Sequence, residues 1–314
     1  MRFGVVVNPS SRDNRRHPER AARLQAILGD RGHVLAAPSV DPLDDFLERA
    51  FADRIDVLGI CGGDGTQHLA LTRALPIWGD VPLPRILPLR GGTMNTVSSS
   101  VGVSRRSPEA LLTRFLAREA AGRARSASRT SARIGPHVGF LFGVGAVHGF
   151  LAEYYRDGDP NALTAGRTLW RAAAGALSQS LGAPDATARV AAPFHGSVRF
   201  REGPGWEARD YLAITGGTIE DMGLGFRPFG KARSTPGAFQ LLGIHGAPAA
   251  LAASLPRIWR GKPLGGRAAY DTLTAHAVIE PSAPGPFGYM VDGDLYEHTG
   301  PLTIAAGPTI RFAF

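Results

Sequence analysis

The chain has 314 residues, of which 44% are hydrophobic and 20% are charged, with a formal net charge of +8 at pH 7. This length is enough for two domains with large buried cores, and the composition is typical of a soluble globular protein. The single cysteine, Cys61, excludes an internal disulfide framework and a zinc site built from several cysteines. The positive charge indicates anionic partners such as nucleotides, nucleic acids or acidic lipids, and charge alone cannot choose among them.

The first 125 residues alternate apolar strands with amphipathic helices. The predicted strands are 3–7, 34–36, 57–61 and 85–89, and the predicted helices are 18–28, 42–51, 67–75 and 108–120. Strands that are apolar on both faces and alternate with helices favour a parallel sheet covered on both sides. We therefore predict an α/β nucleotide-binding domain, because ligands of such sheets bind at the carboxyl ends of the strands.

Three polar or glycine-rich turns follow strands of this predicted sheet. They are residues 8–11 (NPSS), 62–66 (GGDGT) and 91–95 (GGTMN). Turn residues are common between strands and helices, so each turn alone indicates little. Because the carboxyl ends of parallel strands meet at one edge, the three together predict a single nucleotide site.

The second of these turns is the most informative. Residues 57–66, VLGICGGDGT, pass from an apolar strand through glycines into a predicted helix. This order favours phosphate binding, because the missing Cβ atoms expose peptide N–H groups and glycine adopts a positive φ at little cost. The carboxylate of Asp64 beside phosphates indicates a bridging cation, so the turn predicts a nucleotide with Mg²⁺. An ordinary strand-to-helix turn in a glycine-rich chain is the alternative.

The remainder of the chain is mostly strand-like. The composition changes at residues 122–131, which are mostly Arg, Ser, Ala and Gly. We place the domain boundary between residues 125 and 126. Two helices are expected at 161–181 and 248–260. The predicted strands are 138–147, 188–200, 211–215, 238–244, 274–279, 288–291 and 302–314. This pattern predicts a second, β-rich antiparallel domain resembling a sandwich or a partly open barrel.

With GGDGT after the third strand, an Asn-Pro turn at Asn8 and Val291-Asp292-Gly293-Asp294 near the end, the chain resembles the diacylglycerol kinase catalytic-domain family. That family includes bacterial lipid kinases and sphingosine kinases. The resemblance implies an ATP-binding domain at residues 1–125 and a lipid-substrate domain at residues 126–314. It also implies an ATP- and Mg²⁺-dependent enzyme that transfers the γ-phosphoryl group to a hydroxyl of diacylglycerol or a related lipid.

The resemblance further implies roles for individual residues. Asp64 and Asp292 would be catalytic, with Asp292 as the general base, and Asp294 would help to hold Mg²⁺. Asp292 follows a strand and precedes a glycine, so we expect an accessible side chain, although an Asp-Gly hairpin turn is equally compatible with the local sequence. The nucleotide would be lined by residues of the three turns and their neighbours: Asn8, Ser10, Arg12, Gly62, Gly63, Asp64, Gly65, Thr66, Gly92, Thr93 and Asn95.

Four features depart from the pattern of that family. The Asn-Pro turn reads Asn8-Pro9-Ser10-Ser11-Arg12, where the family usually has glycine after the serine. Thr96 stands where the family usually has aspartate, Asp294 stands in for glutamate, and Pro236 replaces the aspartate of a structural Mg²⁺ site. A nucleotide- or lipid-binding protein whose catalysis has decayed is therefore an alternative. An NAD kinase-like small-molecule kinase is another, although no Asn-Glu dipeptide of the NAD kinase type follows the glycine turn.

The expected partners are a lipid substrate and a transiently contacted membrane surface. Tryptophan and arginine in the predicted helices 161–181 and 248–260 suit a headgroup interface, whereas a core helix with a solvated basic face is the alternative. Nucleic acid is not expected, because no basic stripe with interleaved aromatic residues is present. A homodimer is left open. The longest apolar run, 138–147, is about half a membrane span, so we expect a cytoplasmic protein, peripheral at the membrane when it meets lipid.

Overall fold

The computed structural model describes residues 1–156, 192–223, 225–262 and 269–314. The chain forms two compact units, Met1–Arg129 together with Thr309–Phe314, and Thr130–Pro308. The sequence-based boundary lay between residues 125 and 126 and assigned the last residues to the second domain. The predicted helix at 161–181 lies outside the described residues.

The first unit is built on a parallel sheet with the strand order β2-β1-β3-β4. Its strands are β1 (Phe3–Val7), β2 (Gly32–Ala36), β3 (Val57–Cys61) and β4 (Arg85–Pro88). Its helices are α1 (Arg12–Arg15), α2 (Arg20–Leu28), α3 (Val40–Ala52), α4 (Asp64–Trp78), α5 (Thr96–Ser100) and α6 (Pro108–Ala120). Every residue of β1 and β3 is buried. The predicted α/β domain with a parallel sheet is therefore confirmed.

Helix bounds in this unit follow local capping chemistry. Helix α6 begins where predicted, because the Ser107 side chain accepts a hydrogen bond from the Ala110 amide and Pro108 occupies the first turn. Helix α4 begins at Asp64, three residues before its predicted start, because Gly63 keeps an extended conformation (φ −91°, ψ −171°) as its N-cap. The strand, the glycine turn and the helix therefore follow one another without intervening residues, and Asp64 is already the first residue of the helix.

The second unit is a β-rich, mainly antiparallel structure, as predicted. The strands pair in the order β14-β13-β7-β9-β8-β12-β15, while β10 and β11 extend from β9, and β5 and β6 from β15. The elements from residue 126 onward are β5 (Ser126–Ile134), β6 (His137–Gly139), β7 (Leu141–Gly145), α7 (Ala146–Arg156), β8 (Phe194–Phe200), β9 (Trp206–Gly217), β10 (Phe239–His245), α8 (Pro248–Trp259), β11 (Ala269–Thr274), β12 (His276–Pro281), β13 (Pro286–Val291), β14 (Asp294–Thr299) and β15 (Leu302–Ala313). Its core is rich in buried aromatic residues, among them Phe142, Trp206, Tyr211 and Phe239.

Three predicted segments differ from the structure. The expected strand 138–147 is divided into β6 and β7, and it ends at Gly145, whose φ of 70° turns the chain into α7. The expected strand 274–279 is likewise divided, because the Thr274 hydroxyl accepts a hydrogen bond from the His276 amide and breaks the extended run. The stretch 122–131, in which the domain boundary was placed, enters β5 at Ser126. None of the helices in the described residues is long and apolar enough to cross a membrane.

Candidate functional site

The three turns of the first unit are joined to one another by hydrogen bonds. The Asn8 side chain donates from Nδ2 to Thr66 Oγ1 over 2.9 Å. The Ser11 hydroxyl donates to the Gly91 carbonyl over 3.0 Å. The Gly91 amide in turn donates to the Gly62 carbonyl over 2.9 Å. The structure therefore brings together the three segments that the sequence placed at one edge of the sheet.

Close approach of backbone explains the glycines in these turns. A Cβ atom on Gly92 would lie 2.2 Å from Gly63 Cα, and a Cβ atom on Gly62 would lie 2.4 Å from Thr66 Oγ1. A Cβ atom on Gly91 would lie 2.8 Å from the Oδ1 atom of Asn14. None of these four glycines has a left-handed φ. The expectation that these turns need positive φ is therefore wrong, and the missing side chain is what the site requires.

Helix α4 presents its amino terminus at these glycine turns. The first amides of the helix, at Asp64, Gly65 and Thr66, have no acceptor within the helix, and no side chain caps it. The helix dipole adds partial positive charge at the same end. Backbone N–H groups on a helix terminus beside residues without Cβ atoms make a cradle for an anion such as phosphate.

The Asp64 carboxylate ties the second turn to the third. Its Oδ2 atom accepts the Thr96 amide over 2.8 Å, and its Oδ1 atom accepts the Val97 amide over 3.0 Å. Burial raises the pKa of Asp64 above its ordinary value, and the hydrogen bonds from Thr96 and Val97 oppose that rise. The Thr96 hydroxyl contributes a further hydrogen bond to this carboxylate. An aspartate at position 96 would place a second negative charge there, so threonine is the residue type that suits this contact.

The other predicted nucleotide residues have distinct surroundings. Asn95 is buried with a left-handed backbone (φ 50°), and its amide group closes the third turn by accepting from the Gly92 amide and donating to the Gly92 carbonyl. Thr93 is half-buried, and Ser10 is exposed with its amide donating to Asn8 Oδ1. Arg12 is half-buried, and its buried Nε atom has no hydrogen-bond partner among the described residues.

Two buried residues that the sequence did not reveal hold these turns in place. Asn14, which is 2% exposed, donates from Nδ2 to the carbonyls of Asn8 (2.7 Å) and Cys61 (3.0 Å). Its Oδ1 atom accepts from Arg20 over 2.6 Å. Arg20, which is 3% exposed, also contacts Asp13 at 2.6 Å and Glu109 at 3.2 Å. Burial alone would lower the pKa of Arg20, but the hydrogen bonds to Asp13 and Glu109 raise it above its ordinary value.

Replacing Arg20 should therefore destabilise the first unit. Arg20→Met keeps a long side chain but leaves Asp13, Asn14 and Glu109 without their shared donor, so we expect a loss of about 3 kcal/mol in the free energy of unfolding. Arg23→Met on the same helix is the matched control, because Arg23 is 59% exposed and forms a surface ion pair with Glu19. The control should change stability by less than about 0.5 kcal/mol. Denaturant unfolding measures both, and equal effects of the two variants would contradict this role.

The second unit places Asp292 in a buried turn. Asp292 and Gly293 connect β13 to β14, and both have positive φ (46° and 96°), which is the conformation of a type I′ hairpin. Asp292 is 6% exposed, so the expectation of an accessible side chain is wrong. The physical reason is that its carboxylate is turned onto two backbone amides. Its Oδ1 atom accepts from Phe140 (3.0 Å) and Leu141 (2.8 Å), and its Oδ2 atom lies 3.1 Å from the Phe140 amide.

These contacts define the chemistry open to Asp292. Donation by backbone N–H groups favours the ionised carboxylate. Gly139 leaves room for it, because a Cβ atom there would lie 2.8 Å from Asp292 Oδ2. Asp294 is half-buried at the start of β14. Burial raises the pKa of Tyr296, and the negative charges of Asp294 and Asp292 add to that rise.

Pro236, which replaces an aspartate of the family pattern, precedes a glycine with a left-handed backbone. Gly237 has a φ of 73°, and its amide lies 3.4 Å from the Thr130 hydroxyl. In the same unit, the Asp271 carboxylate accepts from Lys231 over 2.8 Å and from Gln240 over 2.9 Å. Over the part of the chain that the structure describes, no three His, Cys, Asp or Glu side chains form a group that could hold a metal ion.

Comparison with known proteins agrees with the fold and with the turns. Residues 2–125 match the diacylglycerol kinase catalytic domain. The resemblance to that family, expected from the glycine turn and its neighbours, is therefore confirmed for the first unit. No curated protein matches the chain.

Solved structures with the same fold cover almost the whole chain. A diacylglycerol kinase from Bacillus anthracis str. Sterne is 14% identical, with a TM-score of 0.62 over 98% of this chain and 96% of that one. Two further Bacillus anthracis structures assigned as diacylglycerol kinases are each 15% identical. Their TM-scores are 0.71, over 98% of this chain and 96% of that one, and 0.68, over 99% and 97%. At such low identity, the similarity establishes the fold.

Proposed function

We propose that this protein is an ATP- and Mg²⁺-dependent lipid kinase that phosphorylates a hydroxyl of diacylglycerol or a related lipid. The observation that carries the proposal is the anion cradle at the start of α4. Two glycine turns meet there so closely that a Cβ atom on Gly92 would overlap Gly63. The match of residues 2–125 to the diacylglycerol kinase catalytic domain supports the same reaction class.

The residues of the three turns fit a nucleotide triphosphate tail. The amides of Asp64, Gly65 and Thr66 would donate to phosphate oxygens, as the first amides of a helix do in other phosphate sites. Arg12 adds a positive charge and a buried Nε donor that has no partner in the described residues. Asn8 and Asn95 position the turns through their own hydrogen bonds, so their contribution to binding is mainly to the shape of the site.

The Asp64 carboxylate fits a site that receives Mg²⁺ together with the nucleotide. It accepts the amides of Thr96 and Val97 and the Thr96 hydroxyl, and it would be one ligand through its remaining acceptor capacity. Asp294 of the second unit is proposed separately as a contact to Mg²⁺. When bound, ATP supplies the phosphoryl group and Mg²⁺ neutralises charge on it. Asp292 is the proposed general base, which would accept the proton of the lipid hydroxyl.

A lipid acceptor is supported by the end of helix α8. Trp259 is 58% exposed there, and Arg257, Arg260 and Lys262 are also exposed. An aromatic ring flanked by cations suits the headgroup region of a membrane, so this segment is the proposed point of transient membrane contact. The protein would then act as a peripheral enzyme that takes its substrate from the bilayer.

A single assay tests this function against its alternatives. Purified protein is incubated with γ-labelled ATP, Mg²⁺, dispersed diacylglycerol and other hydroxyl-bearing lipids, and NAD in a parallel reaction. We expect label in a chloroform-soluble product. Label in NADP would identify an NAD kinase-like enzyme instead. Binding of ATP without transfer to any acceptor would identify a protein whose catalysis has decayed, and either result would overturn the proposal.

The variant Asp64→Ala connects the reaction to this site. Without the carboxylate, the amides of Thr96 and Val97 lose their acceptor and the Mg²⁺ site loses a ligand, so turnover should fall by roughly 10²–10⁴-fold. Asp44→Ala is the control, because Asp44 lies on α3 and pairs with Arg73 at the surface. The control should keep turnover within about twofold of the wild type. Wild-type turnover in Asp64→Ala would remove Asp64 from the reaction.

A further inference from the structure

Most of the positive charge of the chain is concentrated in one segment of the first unit. Residues 104–129 contain seven arginines and two glutamates, a net charge of +5, and the net charge of the whole chain is +8. Both glutamates are already engaged elsewhere. Glu109 pairs with Arg20 over 3.2 Å, and Glu119 pairs with Arg85 over 2.9 Å. The two glutamates of this segment therefore do not neutralise its arginines.

Three of these arginines line one small cavity. The cavity has a volume of about 80 Å³ and lies between β4, α6 and the last residue of the chain. Arg114 and Arg118 are one helical turn apart on α6, and the Arg125 guanidinium lies 5.3 Å from the centre of the Phe314 ring. The remaining wall is largely apolar. The residues that line the cavity include Leu87, Arg114, Phe115, Arg118, Arg125 and Phe314.

These three arginines have no carboxylate partner among the described residues, which sets them apart from Arg20, Arg73 and Arg85. Like charges that share a cavity repel one another. Partial burial lowers the pKa of Arg118, and the charges of Arg114 and Arg125 lower it further. An anion that enters the cavity would offset the repulsion among these three charges.

We propose that Arg114, Arg118 and Arg125 form a binding site for a phosphate-bearing anion whose apolar part rests on the partly exposed Phe314 ring. Guanidinium groups bind phosphate oxygens through paired N–H donors. A phosphate monoester carries a charge of about −1.5 to −2, which matches three cations better than a single carboxylate does. None of the cavity residues belongs to the three turns of the nucleotide site, so the proposal does not depend on kinase activity.

The same phosphate chemistry has two sources, free phosphate and a lipid headgroup, and the experiment separates them. Nucleotide-free protein is titrated calorimetrically with inorganic phosphate, with dihexanoyl phosphatidic acid below its micelle concentration, and with dihexanoyl phosphatidylcholine. Tighter binding of the phosphatidic acid than of phosphate identifies the lipid headgroup. Equal binding of these two identifies free phosphate. Both results support the site when the triple variant of Arg114, Arg118 and Arg125 loses the binding, because phosphatidic acid is also the product of the proposed reaction and would bind the catalytic site. Binding that this variant keeps overturns the proposal, and so does binding of neither compound, which shows that the arginine charges are satisfied within the chain.

Matched variants locate the binding. The triple variant of Arg114, Arg118 and Arg125 to Gln should weaken binding at least tenfold, since each charge-assisted hydrogen bond is worth about 1.5–3 kcal/mol. The control changes three exposed arginines of the same unit to Gln and removes the same total charge: Arg23, Arg31 and Arg49.

The control should stay within about twofold of the wild type at the same salt concentration, because surface charges separated by more than a Debye length are screened. Equal weakening in both triple variants would show diffuse electrostatic attraction and overturn the proposal. If circular dichroism shows that the cavity triple variant does not fold, the single variants Arg114→Gln and Arg125→Gln are titrated instead. Unchanged affinity in both single variants would then contradict the site.

Discussion

Asp292→Ala is expected to lower the free energy of unfolding of the second unit by roughly 2–6 kcal/mol. The substitution leaves the buried amides of Phe140 and Leu141 without their acceptor, and each unsatisfied donor costs about 1–3 kcal/mol. Alanine also tolerates the left-handed backbone at this position poorly. Denaturant unfolding measures the loss, and a variant as stable as the wild type would show that these hydrogen bonds contribute little.

Asp292→Asn separates the structural contribution of this residue from its proposed role as base. Asparagine keeps an oxygen that can accept from Phe140 and Leu141 and tolerates positive φ, so stability should change by no more than about 1 kcal/mol. Turnover should nevertheless fall by about 10²–10⁴-fold, because an amide cannot accept the proton of the lipid hydroxyl. Asp210→Asn, the same change at a carboxylate that is 70% exposed, is the control and should keep wild-type turnover. Normal turnover of Asp292→Asn would eliminate it as the base.

Gly92→Ala is expected to weaken nucleotide binding by roughly 10–100-fold. The new Cβ atom would lie 2.2 Å from Gly63 Cα and 2.8 Å from Gly63 N, so one of the two turns must move, at a cost of about 1–3 kcal/mol. That movement displaces the glycine turn from the start of α4. Titration with a non-hydrolysable ATP analogue measures the effect, and wild-type affinity would contradict the proposed cradle.

Two further glycine substitutions serve as controls for Gly92→Ala. A Cβ atom on Gly63 would meet Gly92 Cα at 3.4 Å, which is an ordinary contact, so Gly63→Ala should keep the melting temperature of the wild type. A Cβ atom on Gly230 in the second unit would meet no atom within 4 Å, and Gly230→Ala should leave both stability and nucleotide affinity unchanged. If all three variants behave alike, close approach of the two turns is not what the glycines provide.

The sequence predicted the first unit well where local signals were strong. Strands β1 and β3 have the predicted bounds, because their residues are apolar on both faces and turn residues follow them directly. Helix α6 likewise has the predicted bounds, since Ser107 and Pro108 supply a cap and a first turn that are visible in the sequence. For the second unit the sequence predicted the β-rich antiparallel class but not all of the strand bounds. Its short strands are divided by single contacts, such as that of the Thr274 hydroxyl with the His276 amide.

The buried polar network of the first unit left no such signal. Asn14 and Arg20 lie in an arginine-rich stretch whose composition is typical of an exposed surface. Their burial follows only from contacts with residues far along the chain. Glu109 lies 89 residues from Arg20, and Cys61 lies 47 residues from Asn14. Hydrophobic periodicity reports which faces of an element are buried, and it carries no information about which distant acceptor a buried polar group will find.

By itself the sequence determined the parallel and antiparallel character of the two units, the placement of three turns at one edge of a sheet, and the resemblance to diacylglycerol kinases. These properties depend on residue pattern and on the order of elements along the chain, which are both local. The tertiary structure decided what the key groups do. Asp64 binds amides 32 and 33 residues away, and Asp292 binds amides 151 and 152 residues away. A carboxylate takes its environment from the partners that folding brings to it, so its surroundings are known only when the chain has folded.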